Sequence, residues 1–197
     1  MLKLDITVNY SSYAKKAGSI MVQEYRIGVI APYLDGEYYG RLLPYIQEAV
    51  RERRSRLFAV QVADDYLGID SLEEPIAAGL IDAWIAILPS ASETVLETLE
   101  NSGKPFVCIG FPSPVPSGHS VLVENRSGMR AAVRHLIDHG HTRIAFIGKR
   151  AQYDLYERYQ GYLEALAERG LPLDERLVVD TEDNLMNAGE KAMLELL

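Results

Sequence analysis

Two segments carry side chains that could grip a small polar molecule. Residues 32–40, PYLDGEYYG, set aromatic faces (Tyr33, Tyr38, Tyr39) beside hydrogen-bonding acids (Asp35, Glu37). Ligand sites mix apolar walls with a few placed polar groups in this way. Tyr39 is also the first core position of the helix that follows, whereas Tyr33, Asp35 and Tyr38 have no such place. The second segment is RAQYDLYER, 150–158. Arg158 stands one helical turn past Asp154 and can point back toward the strand before it. Its planar fork suits a hydroxyl pair or a carboxylate. The plainer reading is an i,i+4 ion pair on a solvated helix face.

Other chemistry is weaker. His135 and His139 share a helical face and could hold a metal, but HLIDHGH lacks the HExxH glutamate, and Gly140 ends the helix at once. Histidines meeting the negative end of a helix dipole explain the pair better. Cys108 lies within PFVCIG and reads as a small buried hydrophobe, since reactive thiols need an accessible electropositive site. There is no GxGxxG, P-loop or GxSxG motif. Ser113, Ser117 and His119 fall in a turn-rich FPSPVPSGHS stretch with nothing to position a triad. The sequence therefore offers no catalytic residues, no metal ligands and no cofactor.

These groups need a frame. Short apolar runs at 26–31, 57–62, 83–88, 105–110, 120–123, 143–148 and 177–180 alternate with stretches of helical period. Near-continuous apolar runs are strands covered on both faces of a parallel sheet. The amphipathic faces are Tyr39/Leu42/Leu43/Ile46/Ala49/Val50, Met129/Ala132/Val133/Leu136/Ile137 and Leu155/Tyr159/Tyr162/Leu166. Ser90 with Glu93 forms a capping box, Asp154 caps a helix over 155–169, and Gly140 and Gly170 occupy C′ positions. Pro44 and Pro75 must lie in first helical turns, or those helices kink or start late. The alternation specifies an α/β fold of doubly wound parallel sheets. Ligands of such sheets bind beyond the carboxyl ends of the strands. The loops to inspect are 32–39, 63–70, 89–92, 111–119, 124–127 and 149–154.

Composition narrows the class. The chain has 197 residues with 20 basic and 28 acidic side chains, a net charge of −8. A dedicated nucleic-acid binder would carry a basic excess, so no direct nucleic-acid contact by this segment is expected. No apolar run is long enough to span a bilayer, and the first 24 residues read as a tail without a secretory h-region. A cytoplasmic protein without membrane contact is expected. A single cysteine excludes an internal disulfide.

At VLVENRSGMRAAVRHLIDHGHTRIAFIG (121–148) the sequence resembles sensor domains of the lactose-repressor (LacI/GalR) family. Asp154-Leu-Tyr-Glu-Arg-Tyr-Gln-Gly-Tyr162, then ALAERGLPLDERLVV, resembles that family's E-R-x-x-G-Y and G-L-P-x-D blocks. GLIDAWIAILPS (79–90) resembles its D-G, strand, P-S block. The resemblance covers about residues 26–197. It implies a two-lobed, periplasmic-binding-protein-like type I fold that closes on a small molecule, with an N-terminal lobe at 25–124 and a C-terminal lobe at 125–197, incomplete in this chain. Its ligand contacts would fall on Tyr33, Asp35, Tyr38, Ser90, Asn125, Tyr153, Asp154 and Arg158. The effector would be a sugar or related polar metabolite, and pairing into a homodimer is implied.

Three departures qualify the resemblance. SYAKKAG (12–18) echoes a helix-turn-helix fragment, without a recognition helix or hinge. Gly110 stands where the family often has an aspartate. The chain stops at AGEKAMLELL, an amphipathic helix that should lead into another strand. The expected function is effector sensing for a cytoplasmic LacI/GalR-like transcription regulator, with DNA bound only by the full-length form. The alternatives are an N-terminal sensor of a diguanylate cyclase or histidine kinase, or a solute-binding protein of a transport system. An enzyme is not expected.

Overall fold

Apolar β-branched runs build the first sheet of this computed structural model, which describes residues 24–62, 79–87 and 93–197. Five parallel strands lie in the order β2-β1-β3-β4-β5. They are β1 (Arg26–Ala31), β2 (Arg56–Gln61), β3 (Ala83–Ile87), β4 (Phe106–Ile109) and β5 (His119–Val121). Register is fixed by pairs such as Val29 opposite Ala59 and Ile85, and Ala86 opposite Cys108. Helix α1 (Gly36–Glu52) follows β1, and α2 (Glu93–Asn101) follows β3.

Each face of this sheet has its own core. On one side Val29, Ala31 and Ile87 are fully buried against Tyr39, Leu42, Leu43 and Ile46 of α1. On the other, Ile30, Trp84, Ala86, Phe106 and Cys108 pack with Val95, Leu96 and Leu99 of α2. Cys108 is thus a buried hydrophobe, and burial pushes its thiol above the ordinary range. The Trp84 ring lies over Gly28 so closely that a Cβ there would come within 2.4 Å of it.

The second unit is smaller. Helix α3 (Asn125–Asp138) enters it, and β6 (Phe146–Gly148) pairs in parallel with β7 (Val178–Asp180). Helices α4 (Tyr153–Glu168) and α5 (Met186–Leu196) complete the described residues. Its core joins Val133, Ile144, Phe146, Tyr162, Ala165 and Leu166. Gly161 carries the closest approach: a Cβ would stand 2.1 Å from the Arg126 carbonyl oxygen, so α3 and α4 meet backbone to backbone there. Tyr162 is buried beside it, and its hydroxyl donates to the Ile144 carbonyl over 3.0 Å. Arg126–Glu164 and Arg130–Glu168 ion pairs run along the outside of the same helix pair.

The glycine caps fall where expected. Gly140 (φ 89°) and Gly170 (φ 66°) adopt left-handed backbone, with His141 N–H bonded to Leu136 O and Leu171 N–H to Leu166 O. His139 Nδ1 sits 2.8 Å from the His135 carbonyl, so this pair serves the helix end. Other expectations need correction. Pro44 lies in the middle of α1 rather than its first turn. Both Pro44 and Gly40, whose carbonyl the proline leaves without a donor, are exposed, so water can take that carbonyl. Asp154 does not cap its helix. The helix starts at Tyr153, Gln152 holds the N-cap position, and Asp154 is buried in the first turn. Strand β2 is an edge with Phe58 45% exposed, not covered on both faces, and Ala49, Ala132 and Leu136 lie outside the cores assigned to their faces. Helix α2 starts at Glu93, while Ser90 and Pro75 lie outside the described residues.

Candidate functional site

Because every strand among the described residues pairs in parallel, the amino ends of α1, α3, α4 and α5 all face the carboxyl edges of the two sheets. Between those edges lies an open cleft of about 1140 Å³. One wall comes from the first sheet: Pro32, Tyr33, Tyr38 and Tyr39, with Gly110, Phe111 and Pro112 after β4. The other comes from the second unit: Asn125, residues 147–149 and 151–155, Arg158, and the loop after β7 running into α5.

The aromatic wall is internally braced. Tyr38 and Tyr39 meet edge to face at 5.1 Å, and Tyr33 lies 5.8 Å from Tyr39. Such ring pairs contribute about 0.5–1.5 kcal/mol beyond their burial. Tyr39 packs against the core beneath as well as lining the cleft, whereas Tyr33 and Tyr38 face the cleft without a place in that core. Gly110 (φ 89°) turns the chain sharply after β4 and donates its N–H to Val121 O. A side chain would be strained at that angle, so this wall has a bare backbone where a carboxylate could otherwise project.

The opposite wall is polar. Arg158 Nε donates to Asn125 Oδ1 over 2.9 Å, and its Nη2 lies 3.4 Å from Asp154 Oδ2. Asn125 and Asp154 are both 8% exposed and are the buried polar residues of the described chain. The surface-pair reading of Arg158 is thus incomplete: the arginine spans two helices. Its field crosses the cleft. Burial pushes the Tyr38 phenol above its ordinary range, the Asp154 carboxylate adds to that shift, and Arg158 opposes it. Arg150 is used elsewhere, lying 5.0 Å from the Tyr159 ring centroid and 3.4 Å from Asp180.

The expected site residues divide accordingly. Tyr33, Tyr38, Asn125, Tyr153, Asp154 and Arg158 line one cleft. Asp35 does not line it; it occupies the exposed N-cap position of α1 and makes no capping bond. Ser90 lies outside the described residues. Sequence reasoning missed Gln152 and the 181–185 segment. Thr181, Asp183, Asn184 and Leu185 all line the cleft, and the Thr181 hydroxyl oxygen is buried without a hydrogen-bond partner. The strand-end rule itself could have found them, because this loop follows β7 as the others follow their strands. Among the described residues no group of three or more His, Cys, Asp or Glu could hold a metal ion.

Comparison with known proteins bears directly on this geometry. Residues 24–197 match the family described as periplasmic binding proteins and sugar binding domain of the LacI family. The chain belongs to that family. Among LacI-family relatives, the HTH-type transcriptional regulator DegA of Bacillus subtilis (strain 168) is 27% identical over 173 residues, covering 84% of this chain and 50% of DegA. GalR of Escherichia coli (strain K12) is 42% identical over 78 residues, 39% of this chain and 22% of GalR. The CelR–cellobiose complex superposes with a TM-score of 0.77 at 29% identity, over 87% of this chain and 54% of CelR. CcpA of Lactococcus lactis, at 24% identity and a TM-score of 0.76, shares the fold, over 89% of this chain and 64% of CcpA. The chain spans about half the length of DegA, and these LacI-family relatives are transcription regulators rather than enzymes. No helix among the described residues is long and apolar enough to cross a membrane.

Proposed function

We propose that this LacI-family chain is the effector-binding part of a transcription regulator, and that a neutral, hydroxyl-rich small molecule binds between its two units. The observation that carries this reading is the Arg158–Asn125–Asp154 grip on one wall, set against Tyr33 and Tyr38 on the other. Guanidinium and carboxamide supply fixed hydrogen bonds, and the rings supply an apolar face. The charge balance points to a neutral ligand: Lys149 and Arg158 are matched by Asp154 and Asp183 along the lining. The unpartnered Thr181 hydroxyl adds a further polar group for a ligand.

In this reading 25–124 and 125–197 act as two lobes. Effector binding shifts the balance between lobe arrangements, and an attached DNA-binding module responds. The protein then works in the cytoplasm, in keeping with its kinship to transcription regulators, and pairs into a homodimer.

Thermal unfolding of the full chain with ribose, cellobiose, galactose, nucleosides and amino acids tests the proposal. One class should stabilise the protein by about 2.7 kcal/mol at a hundredfold excess over its Kd. Arg158→Ala should remove that gain. A flat response to every class sinks the reading.

A further inference from the structure

The polar wall contains a continuous line of three hydrogen bonds and one ion pair that the binding reading does not require. Asn184 Nδ2 donates to Gln152 Oε1 over 2.8 Å, and Gln152 Nε2 donates to Asp154 Oδ1 over 2.8 Å. Asp154 in turn pairs with Arg158, which donates to Asn125. The five side chains come from the loop before α5, the start of α4, the next turn of α4, and the first residue of α3.

The direction of this line follows from its centre. A carboxylate beside a guanidinium only accepts hydrogen bonds. Gln152 must therefore turn its NH2 toward Asp154, which leaves its oxygen facing Asn184. Asn184 must then answer with its own NH2, and its Oδ1 is left over as an acceptor. At the far end Asn125 spends its oxygen on Arg158, which leaves its NH2 as a donor. The two ends of the wall thus have opposite character, the Asn184 end set by the carboxylate and the Asn125 end by the guanidinium.

We infer that Gln152 is a positioning residue: it relays the charge of Asp154 into the orientation of the Asn184 carboxamide, making that end of the cleft an acceptor for a ligand hydroxyl or amine. The inference rests on the cleft being the effector site for its consequence, but not for its physical test. Gln152 need not touch the ligand; it acts through Asn184 and Asp154.

The side-chain amide resonances of Asn184, recorded on the full chain by proton–nitrogen correlation, decide the matter. Gln152→Leu removes both bonds at similar volume and should shift the Asn184 pair. Asp154→Asn frees the Gln152 amide to turn over and should shift them too. In the Gln152→Leu background Asp154→Asn should add no further shift at Asn184, a dependence on Gln152 that a mere packing role would not produce. Asn184 signals unmoved in both Gln152→Leu and Asp154→Asn, with far-ultraviolet dichroism intact, would overturn the inference. The same samples titrated with ribose, cellobiose and galactose separate the two claims. Resonances of Arg158 that ignore every sugar count against the sugar-binding reading, while an Asn184 response to the variants still upholds the relay.

Discussion

Arg158 and Asn125, 33 residues apart in the chain, are joined by a single 2.9 Å hydrogen bond from Nε to Oδ1. The bond ties the middle of α4 to the first residue of α3, and it leaves the outer nitrogens of the guanidinium directed at Asp154 and the cleft.

Loss of that arginine should therefore affect both binding and folding. The Arg158 side chain is 42% exposed, so its pair with Asp154 contributes at most about 1 kcal/mol to stability. Arg158→Ala should weaken binding of a stabilising sugar tenfold or more, and it should cost about 1–3 kcal/mol in urea unfolding, because the buried Asn125 oxygen loses its donor and the buried Asp154 its cation. Arg158→Lys should not restore affinity, because an ammonium has no planar fork with which to serve Asn125 and Asp154 together. Calorimetric titration beside unfolding curves distinguishes the two effects.

The close approach at Gly161 makes a stability prediction with a built-in control. Gly161→Ala drives a methyl into the Arg126 carbonyl and should destabilise the chain by about 1–3 kcal/mol. Gly128→Ala, in the same helix as Arg126 and with nothing within 4 Å of the added carbon, should stabilise it by about 0.4–1 kcal/mol. Denaturant unfolding that moves both variants in the same direction would contradict this account of the helix contact.

Tyr162→Phe should cost about 1–2 kcal/mol. The ring stays in its core, but the buried Ile144 carbonyl loses its donor. Unfolding midpoints measured against wild type read this directly.

Acid should erode stability through arginine-paired carboxylates. The Arg176 guanidinium and backbone N–H hold the Asp174 carboxyl down to about 2, and Arg26 lowers Asp82 in the same way. A carboxyl whose folded value lies below its unfolded value, near about 3.9, stabilises the fold above that pH and loses its contribution as pH falls through the folded value. Stability should thus decline from about pH 4 toward pH 2, and Asp174→Asn should flatten part of that slope. Melting temperatures across this window supply the check.

The parallel strands and most of the helix faces were legible because apolar periodicity and strand–helix alternation are local properties of the chain. Glycine caps at 140 and 170 were legible for the same reason. What escaped was set by tertiary packing. Pro44 sits inside a helix because water can take the orphaned Gly40 carbonyl, a fact of exposure rather than of residue type. Asp154 reads as a cap by position, yet Gln152 and Arg158 draw it into the wall. Within the site, aromatic and charged residues drew notice at Tyr33, Tyr38 and Arg158. Gln152 and Asn184 did not, because a carboxamide announces nothing until its partners are known.

The contact at Gly161 has a mechanical meaning. The backbone leaves the first sheet after Val121 and enters α3 at Asn125 after three residues. With α3 and α4 pressed together backbone to backbone, a rotation about those three residues carries Asn125 and Arg158 as one rigid lever. Asn125 stands at the fulcrum and also holds the hook, so even a small swing of the lever resets the distance between the guanidinium and the Tyr38 ring.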